Sequence, residues 1–279
     1  MTRLVVVGLG LIGGSIALAH RAAEPRGERI GIDAAGVIGS PAAAAAVDER
    51  VDAADRDAVR AALTGASLIV LAMPVQEIVA QLDEALEVGD VVTDCGSTKR
   101  AIAEAAVRSP RASRFVPGHP MAGAPTGGLE QARADLFERR RWILCPEASD
   151  ADALARVEEL VRRVGAVPAR MGAAEHDRAV ALTSHVPQLL ASAMAMLAQR
   201  HRARVAAGPA FSRLTHGAGG PGRMWGDIFS SNADEIAALL RELCGELEQV
   251  ASELEQAPAG TERALELLAA ARAALDSAG

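Results

Sequence analysis

The sequence predicts an α/β fold in which a doubly wound parallel sheet is followed by an all-helical part. A glycine-rich turn follows the first predicted strand and opens the first predicted helix. Strands and helices then alternate as far as residue 171, whereas only helical patterns follow from residue 172. Such alternation is typical of a parallel sheet with helices on both faces. We therefore divide the 279-residue chain into an N-terminal α/β domain, 1–171, and a C-terminal helical domain, 172–279.

The glycine-rich turn carries a dinucleotide-binding fingerprint. Gly8, Gly10 and Gly13 follow the apolar strand 4–7 at the spacing G-x-G-x-x-G. The first glycine permits a tight turn, the second lets the backbone approach a pyrophosphate, and the third lets helix and strand pack closely. Asp33 ends the second strand 20 residues after Gly13, where a carboxylate receives the ribose hydroxyls. The pattern predicts a Rossmann-type domain that binds NAD rather than NADP.

Four further residues and Ser97 complete the predicted cofactor site. Leu11 and Ile12 lie in the glycine-rich segment before the first helix, whose free N–H groups and positive end would face the phosphates. Met73 and Pro74 follow a buried strand. Loops beyond the carboxyl ends of parallel strands surround the ligand in such sheets, so we expect Met73, Pro74 and Ser97 near the nicotinamide.

The remaining elements are assigned from hydrophobic periodicity. The predicted strands are 4–7, 29–32, 50–52, 68–72, 90–93, 114–116, 142–145 and 167–171. The predicted helices between them are 15–19, 42–47, 56–63, 76–86, 100–107 and 151–164. The C-terminal domain shows three or four helical stretches, around 174–200, 205–218, 222–255 and 261–277, with breaks at 208–209 and 258–260.

Composition excludes several classes of function. The net charge of −7 gives no general attraction to nucleic acid or to anionic membranes. Cys95, Cys145 and Cys244 are odd in number, widely spaced and without a C-x-x-C pair. They predict a reduced, cytoplasmic protein with neither a disulfide framework nor a metal site. The apolar N-terminus also imitates a signal peptide, but the fingerprint glycines and Asp33 argue against that alternative.

One long apolar stretch predicts a subunit interface. Residues 179–198 contain no Asp, Glu, Lys or Arg. The stretch does contain Thr183, Ser184 and His185, and a membrane tolerates such polar groups poorly at mid-depth. We therefore expect a helix buried within protein, across a dimer interface, rather than a membrane span.

His119 is the candidate base for hydride chemistry. It lies in a glycine- and proline-rich loop, 118–123, that follows a strand. Removal of a hydride from an alcohol requires a base for the hydroxyl proton, and histidine, with a pKa near 6.5, suits this work near neutrality. Ser97, on the neighbouring loop, could hydrogen-bond both a substrate hydroxyl and His119. The simpler alternatives are that His119 only caps a strand and that Ser97 caps the helix beginning at Lys99.

Two more residues stand out by type and position. Lys99 is the only lysine among 29 basic residues, which indicates a place where a planar guanidinium will not substitute for a compact ammonium. His185 lies on the apolar helix, where a core role is the ordinary expectation. Pro187 would interrupt the helical hydrogen bonds there and open a polar pocket around His185, which favours a functional role.

These motifs together resemble the prephenate/arogenate dehydrogenase family of tyrosine biosynthesis. The matching segments are 7–15, 94–99, 118–123, 184–187 and 224–228, in the same chain order. The first is shared by many dehydrogenases, whereas the two histidine segments are much more specific. The resemblance implies an NAD-binding domain followed by a helical dimerisation domain, and hence a homodimer that binds a small-molecule substrate.

The resemblance also implies a reaction and a set of roles. The reaction is oxidative decarboxylation: a hydride leaves the ring carbon that bears the hydroxyl, the ring carboxylate leaves as carbon dioxide, and the ring aromatises. His119 polarises or deprotonates the hydroxyl, assisted by Ser97. His185 contacts the carboxylate side of the substrate, and Trp225 forms a wall of the pocket. We expect Lys99 to belong to the same substrate-binding set.

The sequence departs from the family pattern at its carboxylate clamp. The family usually has a substrate-binding arginine nine residues before the tryptophan, and His216 stands there instead. The residue after Trp225, often arginine, is Gly226. The clamp therefore looks weakened or relocated. Arg213, three residues before His216 and on nearly the same helical face, is our first candidate to share its task, and Arg223 is the second.

Two alternative functions stay open at this point. The first is another NAD-dependent dehydrogenase with the same two-domain plan, acting on a β-hydroxy acid. Such enzymes generally use a lysine on the helical domain, whereas Lys99 lies in the first domain. The second is a catalytically inactive NAD-binding sensor, suggested by the missing arginine. Intact His119, Ser97 and Lys99 argue against it.

Overall fold

In a computed structural model that describes residues 3–124, 126–256 and 261–277, a six-stranded parallel sheet forms the centre of the N-terminal domain. Its strands are β1 (Arg3–Val7), β2 (Glu28–Asp33), β3 (Glu49–Asp52), β4 (Leu68–Leu71), β5 (Val92–Asp94) and β6 (Phe115–Val116). The order across the sheet is β3-β2-β1-β4-β5-β6, with every pair parallel. The doubly wound fold predicted from the alternation of strands and helices is confirmed.

Helices cover both faces of this sheet. They are α1 (Leu11–Ala23), α2 (Ala35–Ile38), α3 (Pro41–Ala46), α4 (Arg56–Leu63), α5 (Val75–Val88), α6 (Arg100–Ala106) and α7 (Ala151–Arg163). In β1, Leu4 and Val6 belong to one buried cluster, whereas Val5 and Val7 belong to another. A strand buried on both faces reads as a continuous apolar run, which is why β1 shows no alternation in the sequence.

The last three strands form a separate sheet. They are β7 (Gly118–Pro120), β8 (Arg141–Leu144) and β9 (Val167–Arg170). β7 pairs antiparallel with β8, and β8 pairs parallel with β9. Our assignment of β8 and β9 to the parallel sheet is therefore wrong. Only Pro117 separates β6 from β7, and the short β6 ends the large sheet because the chain then turns to pair His119 with Ile143.

A buried ion pair joins the two sheets. The side chains of Asp94 and Lys99 are both completely buried, and the Lys99 ammonium donates to the Asp94 carboxylate and to the Gly118 carbonyl. The carboxylate also accepts the N–H groups of Gly96, at 2.7 Å, and Gly118, at 3.0 Å. A Cβ on Gly118 would lie 2.8 Å from Nε1 of Trp142, so glycine is required at this crossing. These bonds hold the loop after β5 against the start of β7.

The C-terminal domain is helical throughout the part that the structure describes. Its helices are α8 (Ala173–Val180), α9 (Val186–Arg200), α10 (Pro209–Thr215), α11 (Gly222–Ser231), α12 (Ala233–Leu254) and α13 (Glu262–Ser277). The predicted stretch 222–255 is divided at Asn232, which separates α11 from α12. The predicted break at 258–260 includes only residues outside the described ranges.

The segment Ala173–Arg200 is long and apolar enough to cross a membrane by length and composition alone. Its first turns, however, carry His176 and Asp177, which are buried and hydrogen-bonded to residues of the N-terminal domain. Farther along, Met194 and Met196 are exposed in the single chain. One end of the helix thus packs on the first domain, while the other has exposed apolar side chains.

The buried ion pair gives a stability prediction. Lys99→Met should lower the free energy of unfolding by about 3–5 kcal/mol, because it leaves the Asp94 carboxylate buried without its counter-charge. Urea denaturation followed by circular dichroism measures this loss. Arg156→Met, which breaks a surface pair with Asp152, is the control and should change the unfolding midpoint little. A Lys99→Met protein as stable as the control would contradict the importance of this pair.

Candidate active site

The turn between β1 and α1 has the shape required of a pyrophosphate cradle. Gly8 has a φ of 93°, and a Cβ there would lie 2.4 Å from the carbonyl oxygen of Ala72. A Cβ on Gly13 would lie 1.9 Å from the Gly8 carbonyl oxygen, whereas a Cβ on Gly10 would meet nothing within 4 Å. Helix α1 begins at Leu11 with no side-chain cap and no acid in its first turn. Its first N–H groups are therefore available to a phosphate.

Asp33 lies at the end of β2, beside this turn. One carboxylate oxygen accepts the N–H of Leu9 at 2.6 Å and the other accepts the N–H of Ala34 at 2.7 Å. A carboxylate offers about four acceptor positions, so capacity remains for two ribose hydroxyls. Arg56, which the sequence reasoning missed, lines the same cavity and forms an ion pair with Glu84 at 2.8 Å. The guanidinium is thus already partnered.

One cavity of about 690 Å³ connects the predicted cofactor residues. It is lined by Gly8, Gly10, Ile12, Asp33, Met73, Pro74 and Ser97 from the N-terminal domain. Pro221, Arg223, Met224 and Asp227 line it from the C-terminal domain. Leu11 and Gly13 do not line the cavity: both lie in the first turn of α1, where Leu11 packs in the apolar core and Gly13 lies against the Gly8 carbonyl. The open backbone at Gly10, the uncapped helix and the Asp33 carboxylate together fit a dinucleotide.

His119 is partly buried on β7 and belongs to a chain of hydrogen bonds. Its Nδ1 lies 2.9 Å from Nε2 of His176, and Nδ1 of His176 lies 2.8 Å from Oδ1 of Asp177. Burial lowers the pKa of His119 well below 6.5, and the nearby Lys99 ammonium lowers it further. The imidazole of His119 is therefore neutral at physiological pH, as a general base must be. Within the described ranges its Nε2 has no hydrogen-bond partner, so this nitrogen is available to a substrate.

Ser97 makes neither of the two expected contacts, a hydrogen bond to His119 and a cap on α6. No hydrogen bond joins Ser97 to His119 within the described ranges, and Ser97 does not cap the following helix. The carboxylate of Asp177 caps α6 instead, accepting the N–H groups of Lys99 at 2.6 Å and Arg100 at 2.9 Å. Ser97 lines the cofactor cavity, where its hydroxyl is open to a ligand.

Lys99 is also placed differently from expectation. Its side chain has no exposed surface, and its ammonium bonds Asp94 and the Gly118 carbonyl. It therefore makes no direct contact with a cavity, and the structure corrects its expected substrate-binding role. Lys99 instead positions Gly118, and with it the neighbouring His119.

His176 and Asp177 are functional candidates that sequence reasoning missed. They are 1% and 0% exposed, although both are polar and stand at the start of a long apolar helix. An adjacent His-Asp pair just before the uncharged stretch 179–198 was the available signal. Their partners lie 57 and 78 residues away along the chain, which is why spacing alone could not assign them.

The structure brings His185 and Trp225 together as expected. His185 ends a π-helical turn, Ala181–His185, directly before the proline-containing start of α9, and such turns are frequent at functional sites. The ring centroids of His185 and Trp225 lie 6.2 Å apart, at an interplanar angle of 88°. Burial lowers the pKa of His185 to about 4. Asn232 lies 3.4 Å from its Nδ1, through Nδ2, so the neutral ring offers Nε2–H as a donor.

Arg213 and His216 are not brought to this site within one chain. Both are exposed, on α10 and at its C-terminal end, and neither has an ion-pair partner in the part of the chain that the structure describes. Arg223 does line the cofactor cavity, but it forms an ion pair with Glu77. Asp227, on the same helix as Arg223, accepts the N–H groups that begin α5. Helix α11 is therefore fastened over the cavity.

Comparison with known proteins identifies the family. The family model described as the prephenate dehydrogenase nucleotide-binding domain matches residues 16–169, and that of the prephenate dehydrogenase dimerization domain matches residues 172–269. The chain belongs to the prephenate dehydrogenase family. It is accordingly an NAD-dependent oxidoreductase, with a Rossmann-type domain and a helical domain of the dimerisation type. Matches over both domains argue against the β-hydroxy-acid alternative.

Relatives of known name agree with this assignment. Prephenate dehydrogenase of Bacillus subtilis is 32% identical over 260 residues, which cover 88% of this chain and 68% of that protein. The structure of Synechocystis arogenate dehydrogenase superposes with a TM-score of 0.79 at 27% identity, covering 98% of this chain and 99% of that one. Prephenate dehydrogenase of A. aeolicus, solved with hydroxyphenyl propionate and NAD+, shares the fold with a TM-score of 0.85 at 24% identity, covering 100% and 99% of the two chains.

Asp33 gives a prediction on cofactor choice. The catalytic efficiency with NAD should exceed that with NADP at least tenfold, about 1.4 kcal/mol, because a 2′-phosphate would meet this carboxylate. Steady-state kinetics with both cofactors measures the ratio. Asp33→Asn should reduce the ratio, and Asp52→Asn, at the end of the adjacent β3, is the control that should not. Equal efficiency of the wild-type protein with both cofactors would refute the assignment.

Proposed function

We propose that this chain oxidatively decarboxylates prephenate to 4-hydroxyphenylpyruvate, or arogenate to tyrosine, as a cytoplasmic homodimer. The observation that carries the proposal is the placement of His119. It is a neutral imidazole that, among the described residues, is hydrogen-bonded through Nδ1 only, on a strand fixed beside the cofactor-lining loop of Ser97. The family membership of both domains and the names of the relatives point to the same chemistry.

The residues of this chain supply the proton chemistry and the orientation. Nε2 of His119 accepts the proton of the ring hydroxyl: the O–H bond breaks and an N–H bond forms. The glycine turn and Asp33 would hold NAD+, which would supply the acceptor for the hydride from the carbon bearing that hydroxyl. The ring carboxylate leaves as carbon dioxide, and its bonding electrons enter the aromatising ring to give a phenolate. The His119 imidazolium then returns its proton to the phenolate oxygen. Ser97 donates a hydrogen bond to the substrate hydroxyl, so the protein mainly orients the reactants and accepts charge.

His185 and Trp225 form the wall of the substrate pocket in this proposal. His185 is neutral at physiological pH, so it binds a substrate oxygen as a hydrogen-bond donor and not as a cation. The indole of Trp225 also contacts Phe229, at a centroid distance of 5.4 Å, and can cover the substrate ring.

The helical domain supports the proposed homodimer. Its exposed apolar side chains include Leu182, Met194, Met196, Leu197 and Leu214. These residues are spread along one long helix and the short α10 that follows it, in the domain matched by the dimerization model. Burial of such surface against a second copy would remove it from water. Arg213 lies on α10 and would then be close to the interface.

The function is tested by NADH formation with three substrates. We expect NADH and carbon dioxide with prephenate or arogenate and none with a β-hydroxy acid. His119→Asn should retain NAD affinity while kcat falls roughly 10²–10⁴-fold, the usual effect of removing a general base. His201→Asn, an exposed histidine at the end of α9, is the matched control.

The pH dependence follows from the same residue. The base must be neutral, and burial disfavours its protonated form, so activity should fall with decreasing pH only below 6.5. This acidic limb lies lower than an unperturbed histidine would place it, and it should vanish in His119→Asn. Wild-type turnover by His119→Asn would move the base elsewhere. Binding of NAD without turnover of any of the three substrates would favour the inactive sensor.

The substrate carboxylates give a prediction for Arg213 and His216. Arg213 is exposed and unpaired among the described residues, so it is available to a carboxylate. Arg213→Ala should raise KM roughly tenfold without changing NAD affinity, since a charge-assisted hydrogen bond is lost. An arginine carries a permanent charge and a bidentate fork, so His216→Arg should lower KM. Arg204→Ala is the exposed control; unchanged KM in both variants would direct attention to Arg223.

A further inference from the structure

We propose that His176 and Asp177 are positioning residues that hold His119 in the tautomer whose Nε2 accepts the substrate proton, and that they share the positive charge which then forms. The inference rests on the proposed role of His119 as base. The three side chains form one line: Nδ1 of His119 to Nε2 of His176 at 2.9 Å, and Nδ1 of His176 to Oδ1 of Asp177 at 2.8 Å. No other role in the reaction has been given to this pair.

Asp177 defines the direction of the line. Its two oxygens accept three N–H groups: those of Lys99 and His176 at Oδ1, and that of Arg100 at Oδ2. A group that only accepts hydrogen bonds is an ionised carboxylate. The side chain is 0% exposed, so these bonds replace the water that would otherwise stabilise the carboxylate. Asp177 is thus a fixed negative charge at the end of the line.

The tautomers follow from this charge. His176 must donate its Nδ1–H to Asp177, so a neutral His176 carries a lone pair on Nε2. That lone pair accepts a proton from His119, which must therefore carry its hydrogen on Nδ1. The lone pair of His119 is then on Nε2, the nitrogen without a partner in the described structure. The opposite tautomer of His119 would face a second lone pair and could not act as a base through Nε2.

The line also accommodates the charge that catalysis creates. When Nε2 of His119 takes the hydroxyl proton, the ring becomes an imidazolium in a buried position near Lys99 and His185. Lys99 is partnered by Asp94, and His185 is neutral, so neither relieves the new charge. Movement of the Nδ1 proton of His119 toward Nε2 of His176 shifts that charge next to the Asp177 carboxylate. The number of protons is unchanged, and the charge ends beside its counter-ion.

If His176 and Asp177 only packed the two domains together, a different result would be expected. His176 and Asp177 lie on α8 of the helical domain, while His119 and α6 belong to the N-terminal domain, so the same bonds also attach the domains to each other. If attachment were their whole contribution, any variant that keeps the domains together would keep the tautomer and the pH profile of His119. The experiment therefore needs a measurement that responds to the proton on His119.

The direct test is the nitrogen NMR spectrum of isotope-labelled histidine in the wild-type protein. We expect neutral His119, assigned by the loss of its signals in His119→Asn, to be protonated on Nδ1 and not on Nε2. This measurement needs neither substrate nor turnover, so it remains valid even if prephenate and arogenate are not the substrates. Protonation of His119 on Nε2 would overturn the proposal.

The variant test uses His176→Gln, whose amide can accept a hydrogen bond from His119 but cannot take up a proton. We expect kcat to fall roughly 10- to 100-fold, less than in His119→Asn because the base remains. KM and NAD affinity should change less than twofold, and the acidic limb should move to lower pH, because the His119 imidazolium loses its link to Asp177. His20→Gln, at a histidine that is 1% exposed and distant from the line, is the matched control.

Two results of the variant test would contradict the inference. One is a folded His176→Gln protein with wild-type kcat and an unchanged acidic limb, which would reduce the pair to packing. The other is a limb shifted to higher pH, which would mean that His176 acts on His119 only as a repelling charge. If His176→Gln does not fold, the wild-type NMR result decides alone.

Discussion

The carboxylate of Asp177 is the group on which the rest of the site depends. It caps the first turn of α6 through the N–H groups of Lys99 and Arg100, and it holds His176, which in turn holds His119. Its own backbone carbonyl accepts the side-chain amide of Asn232 at 2.8 Å. A single buried charge therefore connects the strand that carries His119, the loop that carries Ser97 and the helices of the second domain. His119 acquires these contacts only when the two domains are docked.

A second buried charge is handled by a different device. Asp94 ends a central strand, and its carboxylate is neutralised by Lys99 and bonded by the N–H groups of Gly96 and Gly118. The space between these groups is closed to solvent, and the Gly118 carbonyl completes the contacts of the ammonium. A compact ammonium fits this enclosure, whereas a planar guanidinium with five donors would leave several of them unpaired. The only lysine of this arginine-rich chain is thus explained by its buried pair with Asp94, and not by the substrate-binding role that its position beside the cofactor loop suggested.

The parts of the molecule that the sequence predicts well are those whose cause is local. Gly8, Gly10 and Gly13 act through backbone space within one turn, and Asp33 lies at a fixed distance beyond them, so their pattern is visible without a structure. The boundaries of most strands follow from continuous apolar runs. The small sheet escaped prediction because pairing partners of β7, β8 and β9 are set by tertiary position, and a short apolar run does not state which sheet it joins.

The parts that escaped prediction share a long separation along the chain. Ser97 stands where a helix cap is expected, yet the cap comes from Asp177, 78 residues away from Lys99. The contact of His176 with His119 was not predicted, because no sequence spacing connects a histidine in a helix with a strand of another domain. The same limit applies to Arg213. Its position on α10 shows an available charge, but the group that meets it depends on a surface that one chain does not complete.

The electrostatics of the site explain why the charge of Arg213 matters. The basic side chains nearest the cavity are already partnered: Arg223 by Glu77, Arg56 by Glu84, and Lys99 by Asp94. The histidines of the site are neutral, because burial lowers the pKa of both His119 and His185. A site arranged in this way favours proton abstraction, since a base among unpaired cations would bind its proton too weakly to take it from a hydroxyl. It also leaves little positive charge for a substrate with two carboxylates in a chain of net charge −7. A neutral His119 and a cation for the carboxylates are compatible only if that cation lies apart from His119, at the rim of the site. An exposed arginine there retains its charge without lowering the pKa of His119.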